Sequence, residues 1–189
     1  MEAFKAAVYT ALWFEGGGVF NDKDPEIING TNWKKCGTSG GADDAGGMTK
    51  YGIAKAGHPD VDIANLNLAQ AVAIYKKDFW DKVRGDQFKN PEVAAYLFDS
   101  LCGSMYCLMH VLKDVQKAVG VTADGILGSG TIAAINHHDE DLIDVMVNSR
   151  FEFYKAIAEH NPSQAKFLGG WNRRAETFLQ QFKKYLTEA

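Results

Sequence analysis

The sequence predicts a mainly α-helical chain of two helical lobes, with one long loop and room for a small hairpin near the first lobe's helices. Apolar residues recur at three- and four-residue steps in successive stretches, the pattern of amphipathic helices. Glycine- and proline-containing breaks punctuate those stretches. No internal repeat, low-complexity linker or charge block divides the chain, so the lobes, residues 1–95 and 96–189, are expected to pack together around a cleft.

Ala3, Phe4, Ala7, Val8, Ala11, Leu12 and Phe14 trace the first helix, and Gly16-Gly17-Gly18 ends it. From Lys23 to Asp43 the chain carries Pro25, Asn29-Gly30, Trp33, Cys36 and a Gly37–Gly41 run. This reads as a long loop with space for one hairpin at Asn29-Gly30. Asn67 and Leu68 open a second helix, in which Leu68, Ala71, Val72, Tyr75, Phe79 and Val83 share a face. Pro91 and Glu92 suit the start of a third, whose apolar face runs from Val93 through Leu101 and Met105 to Val115. Asp124-Gly125 is a tight turn, with Ser129 or Thr131 able to cap the helix that follows. Two further helices are expected over Leu142–Ile157 and, beyond Asn161-Pro162, Phe167–Leu186.

At 189 residues the chain can bury a substantial core. A net charge of −4 and a pI near 5.7 argue against nucleic acid, whose phosphates need a basic surface. They also make attraction to an anionic wall a minor source of affinity. No stretch approaches the roughly 20 apolar residues of a membrane span. The first helix has Glu2 before Lys5 and keeps its hydrophobics on one face, so it reads as a folded helix and not a signal peptide. Cys36, Cys102 and Cys107 leave at least one thiol unpaired. On a continuous helix Cys102 and Cys107 point apart, so buried free thiols are expected. Cys107 and His110 share a face without clear further ligands, and no His, Cys and Asp constellation suits zinc or thiol chemistry. No cofactor or metal is expected.

The chemistry concentrates between Glu15 and Ile53. Glu15 falls in the last turn of a helix, where the partial negative charge disfavours an ionised carboxylate. A carboxylic acid that holds its proton is what a general acid needs. Asp44-Ala45-Gly46-Gly47-Met48-Thr49-Lys50-Tyr51-Gly52-Ile53 supplies a second carboxylate, a hydroxyl able to hold water and a backbone that can approach a ligand closely. Glycoside hydrolysis uses this set: an acid for the bridging oxygen and a carboxylate for the developing charge or for water.

These residues resemble the Glu-Gly-Gly and Asp-x-Gly-Gly-x-Thr-x-x-Gly-Ile signature of glycoside hydrolase family 108 lysozymes, N-acetylmuramidases common among phage endolysins. The resemblance implies a lysozyme-like fold, Glu15 as catalytic acid, and supporting roles for Asp44 and Thr49. The family joins its two motifs by a shorter link, so the insertion leaves Asp22 and Asp24 as competitors for the second carboxylate. Tyr75 and Trp80 match the family's Tyr-x4-Trp feature. Together with Tyr51 and Trp33 they are candidate sugar contacts, against the alternative that they are packing aromatics. Phe98-Asp99 resembles the start of the family's second half, although Gly103 and Met105 stand where the family usually has Asn and Gly. Val115–Gly120, Asp124–Gly128 and Thr131–Ile135 resemble its peptidoglycan-binding segment. Trp171-Asn172-Arg173-Arg174 resembles a closing element whose arginines hold a carboxylate or lie solvated. The resemblance implies a monomer acting on peptidoglycan glycan strands, made in the cytoplasm without a signal peptide. It would reach the wall through a holin-type partner or on a virion. A noncatalytic wall-binding or virion protein and a lytic transglycosylase are the rival readings.

Overall fold

A computed structural model describes residues 1–32, 34–36 and 47–187. The chain is mainly α, with one two-stranded hairpin among the described residues: α1 (Ala3–Glu15), α2 (Pro25–Ile28), β1 (Thr49–Lys50), β2 (Ile53–Ala54), α3 (Leu68–Tyr75), α4 (Pro91–Gly103), α5 (Met105–Ala118), α6 (Ser129–His137), α7 (Ile143–His160) and α8 (Leu168–Thr187). No described helix is long and apolar enough to cross a membrane. Two compact units emerge: Val8–Asp78, and Met1–Ala7 with Phe79–Ala189. The boundary near residue 95 expected from sequence differs from this division, because α4 packs on α5, α7 and α8 and so belongs with the later helices.

In the Val8–Asp78 unit, α1 ends where the glycines allow positive φ, +66° at Gly17 and +87° at Gly18. The hairpin expected at Asn29-Gly30 is instead a one-turn helix, α2. Asp24 caps it by accepting from the Glu26 N–H at 2.9 Å, Pro25 occupies its first turn, and Gly30 turns the chain out of it at φ +66°. Lys35 bridges Asp24 at 2.8 Å and Glu26 at 2.6 Å. Hydrogen bonding to that ammonium holds both carboxyls below their ordinary range.

The hairpin forms at Tyr51-Gly52. Thr49 pairs with Ala54 and Lys50 with Ile53, and the two-residue turn has φ +52° and +72°, the positive pair that matches strand twist in a type I′ turn. Tyr51 occupies a region that suits glycine. Its N–H donates to Cys36 O at 2.7 Å, its buried hydroxyl donates to Ile27 O, and its carbonyl accepts from Tyr75 Oη at 3.0 Å. These bonds tie the turn to α2 and α3. Asn67 and Gln70 form a reciprocal capping box at the start of α3. The α-helix stops at Tyr75 and widens into a π turn, Lys76–Trp80, rather than continuing to Val83.

In the other unit the single helix expected over 91–115 is broken at Ser104. The apolar pattern continues through the break, but Ser104 is extended (φ −175°, ψ 159°) and its Oγ accepts from the Cys107 N–H at 3.0 Å. A helix cap there outweighs continuity. Asp99, fully buried, lies between Arg150 (2.7 Å) and Arg174 (2.8 Å). Burial alone would raise its pKa, but the two guanidinium charges and their hydrogen bonds outweigh that and hold it below the ordinary value. Tyr154 Oη accepts from Arg150 at 2.7 and 3.1 Å, and Tyr96 Oη donates to Ala175 O at 2.9 Å. Cys36, Cys102 and Cys107 are free thiols.

Candidate active site

The candidate site lies within Val8–Asp78. Residues 6–12 of α1 are buried on every side, and the cover thins through half-buried Trp13 and Phe14 to leave Glu15 exposed at the last position. The hairpin turn sits against it: a side chain on Gly52 would begin 3.5 Å from Glu15 Cγ and 2.6 Å from Tyr75 Oη. Glycine at 52 therefore serves twice, since the position has positive φ and has no room for a Cβ. Thr49, half-buried on β1, donates its hydroxyl to Gly47 O at 3.3 Å. Glu15 and the Gly52 end of the Thr49–Ala54 hairpin are thus brought together.

Asp44 and Trp33 lie outside the described residues. Of the competing carboxylates, Asp24 is engaged with Lys35 and Glu26 N–H in capping α2, which leaves it a structural role. Tyr51, Tyr75 and Trp80 are 1%, 3% and 1% exposed. Rings buried to that degree offer no face to a sugar, so the packing alternative describes them. Tyr51 and Tyr75 shape the turn beside Glu15, and Trp80 donates to Asp86 at 2.7 Å while packing on Phe4 and Phe98.

Sequence reasoning passed over Trp13. It stands two residues before Glu15, is half-buried, and meets Phe14 edge-on at 5.0 Å. Its ring lies 3.2 Å from where a side chain on Gly18 would begin. Its position in the last turn of α1, two residues from Glu15, was the available signal. Of the closing arginines, Arg174 holds the carboxylate of Asp99, whereas Arg173 is exposed. Among the described residues no group of three His, Cys, Asp or Glu side chains is placed to hold a metal ion.

In the other unit, Gln116 organises the loop between α5 and α6. Its Nε2 donates to Asp124 Oδ1 (2.8 Å), Ile126 O (3.1 Å) and Thr131 Oγ1 (3.1 Å), and its Oε1 accepts from Gly125 N–H (2.8 Å). Thr131 thus serves Gln116, and α6 starts from Gly128 with no side-chain cap, contrary to the capping expected of Ser129 or Thr131.

An exposed helix-end glutamate against a glycine turn offers the acid that glycoside hydrolysis uses, and comparison with known families specifies the class. Residues 34–104 match the model of Glycosyl hydrolase 108, and residues 110–176 match that of the Predicted Peptidoglycan domain. The two matched stretches together support a glycosyl hydrolase 108 enzyme with a peptidoglycan-binding segment, a glycosidase directed at peptidoglycan. Glu15 precedes the first matched stretch, while Thr49 and the hairpin lie inside it. The fold is similar to that in the solved "Structure of Brucella abortus SagA", with a TM-score of 0.63, 21% identity and coverage of 98% of each chain. No curated protein matches.

Proposed function

We propose that the chain hydrolyses the β-1,4 bond between N-acetylmuramic acid and N-acetylglucosamine, with Glu15 protonating the bridging oxygen. The observation that carries this reading is the approach of Gly52 to Glu15, a backbone turn held by Tyr51 and Tyr75 against an exposed acid in a chain of this family. A glycan laid over Glu15 would exclude water from the acid. Asp44 is assigned the second carboxylate and Thr49 the positioning of water, both from the family signature. Trp13 supplies a ring within the same helical turn as the acid, replacing Tyr75 and Trp80 as the aromatic sugar contact. In this reading the protein is a phage-type endolysin that lyses the wall, reaching it through a holin-type partner.

Mass spectrometry of muropeptides released from purified sacculi tests the reaction. N-acetylmuramic acid at the new reducing ends is expected. Reducing N-acetylglucosamine would move the cut to the other bond, anhydro ends would make the enzyme a lytic transglycosylase, and no release would leave a wall-binding protein.

A further inference from the structure

The hairpin whose turn meets Glu15 is moored to the end of α3 at two points. Tyr75, the last α-helical residue there, holds the turn through Tyr51 O. The second mooring is His58, on the loop that leaves β2. Its Nε2 lies 3.2 Å from Oδ2 of Asp78, in the π turn, and its Nδ1 lies 3.4 Å from the carbonyl oxygen of Ala54, the last residue of β2. The Gly57 and His58 N–H groups also donate to Ala54 O, so this loop folds back on the strand. A carbonyl and a carboxylate oxygen can only accept. To make both ring bonds each imidazole nitrogen must therefore donate, which the imidazolium alone can do. A neutral ring keeps one bond and gives up the other.

We propose that His58 is a positioning residue for the acid: as an imidazolium it clamps the end of β2 to Asp78 and so keeps the hairpin turn against Glu15. The proposal rests on Glu15 protonating the bridging oxygen, and adds a group that acts on that acid through the hairpin. The side chains of His58 and Asp78 are 21% and 29% exposed and line a cleft of about 420 Å³, so water reaches the ring and its proton follows the medium. Around that cleft Lys77 joins Asp78 on the π turn and Asp60 lies on the ring's own loop, while α3 contributes the uncharged Ala73 and Ile74. The Lys55 ammonium donates to Val61 O at 2.8 Å. Asp78 is thus the charge that the ring meets at hydrogen-bond distance. The clamp is complete while the ring is protonated and is lost as pH rises through the imidazole range. A tie between part-exposed groups biases the hairpin by up to about fivefold, so its removal should slow the reaction without unfolding the chain.

The test measures kcat and KM on purified sacculi from about pH 5.5 to about pH 8.5, the span in which an ordinary imidazole loses its proton, for the wild type, His58→Ala, His58→Lys, Asp78→Asn and the loop control Asp60→Asn. Circular dichroism checks folding, and hydrogen exchange follows the Lys55 amide, which closes the hairpin on Met48 O at 2.9 Å. At the acid end the wild type should exceed His58→Ala and Asp78→Asn about threefold in kcat, with KM changed by less than about twofold, and the ratio should approach one at the alkaline end. Titration of Glu15 itself is common to all variants and cancels in that ratio. His58→Lys, a cation throughout, should keep the acid-end rate and lead the wild type at the alkaline end, and Asp60→Asn should follow the wild type. Protection of the Lys55 amide should fall about threefold in His58→Ala. A kcat ratio that stays constant with pH would overturn the proposal, as would an Asp60→Asn profile equal to that of Asp78→Asn. If the wild type releases no sugar, the hydrolase reading fails, and unchanged Lys55 protection in His58→Ala would overturn the clamp separately.

Discussion

Replacing Asp99 by Asn would remove one negative charge from the centre of the later unit while hardly changing its volume. Asp99 is 0% and Arg150 1% exposed at the side chain, and they meet at 2.7 Å; Arg174, 20% exposed, donates from Nη2 at 2.8 Å and Nε at 3.1 Å. An asparagine oxygen can accept from one arginine, but its NH2 then faces the N–H groups of the other. The buried guanidinium is left without its counter-charge, and breaking a buried pair in this way costs about 3–5 kcal/mol. At about 2–4 °C per kcal/mol for a chain of this size, thermal unfolding should fall by roughly 6–20 °C. Arg174→Ala should cost less, because Arg150 still pairs with Asp99 and the Arg174 site already touches water. The pH dependence has a definite sign. The folded pKa of Asp99 lies below its unfolded value, so its contribution is complete above an unfolded pKa of about 3.9 and is lost as pH falls through the folded value. The gap between wild type and Asp99→Asn should therefore hold at neutral pH and narrow in acid. Circular dichroism melts across that range read both effects. A neutral-pH shift under about 2 °C would mean that Asp99 is not the counter-charge of Arg150.

Gly52→Ala should destabilise the turn by about 1–3 kcal/mol through strain at φ +72° and the clash with Tyr75 Oη, with hydrolysis lost in step, read by melting and by sugar release. Gln116→Ala removes four hydrogen bonds, two of them to side chains and two to backbone groups. It should cost about 2–4 kcal/mol and speed amide exchange at Gly125 and Ile126. Trp13→Ala should raise KM for sacculi more than it lowers kcat if the ring stacks on a sugar, so steady-state kinetics separate that role from a purely structural one.

The helices were legible wherever local pattern and local punctuation agree. The glycines after Glu15, the cap at Asn67 and Pro162 after Asn161 mark real boundaries. The break at Ser104 was hidden by apolar residues that keep helical spacing on both sides of it. The hairpin was sought at Asn29-Gly30, a common turn pair, whereas it forms at Tyr51-Gly52, where long-range bonds from Tyr75 and to Cys36 and Ile27 hold a tyrosine at positive φ. Local propensity contains none of that. Asp99 and its arginines are 51 and 75 residues apart, beyond any local signal. Residue type likewise suggested sugar contact at Trp80 and Tyr75, but only the packing reveals that those rings are covered while Trp13 is partly open.

The central claim is that Glu15 delivers the proton. Release of reducing sugar from purified sacculi by Glu15→Gln, compared with wild type at matched folded concentration, tests it most directly. The substitution keeps the shape of an exposed side chain, so the melting curve should be unchanged while the rate falls by about a hundredfold or more. A folded variant that still cleaves at the wild-type rate would contradict the assignment.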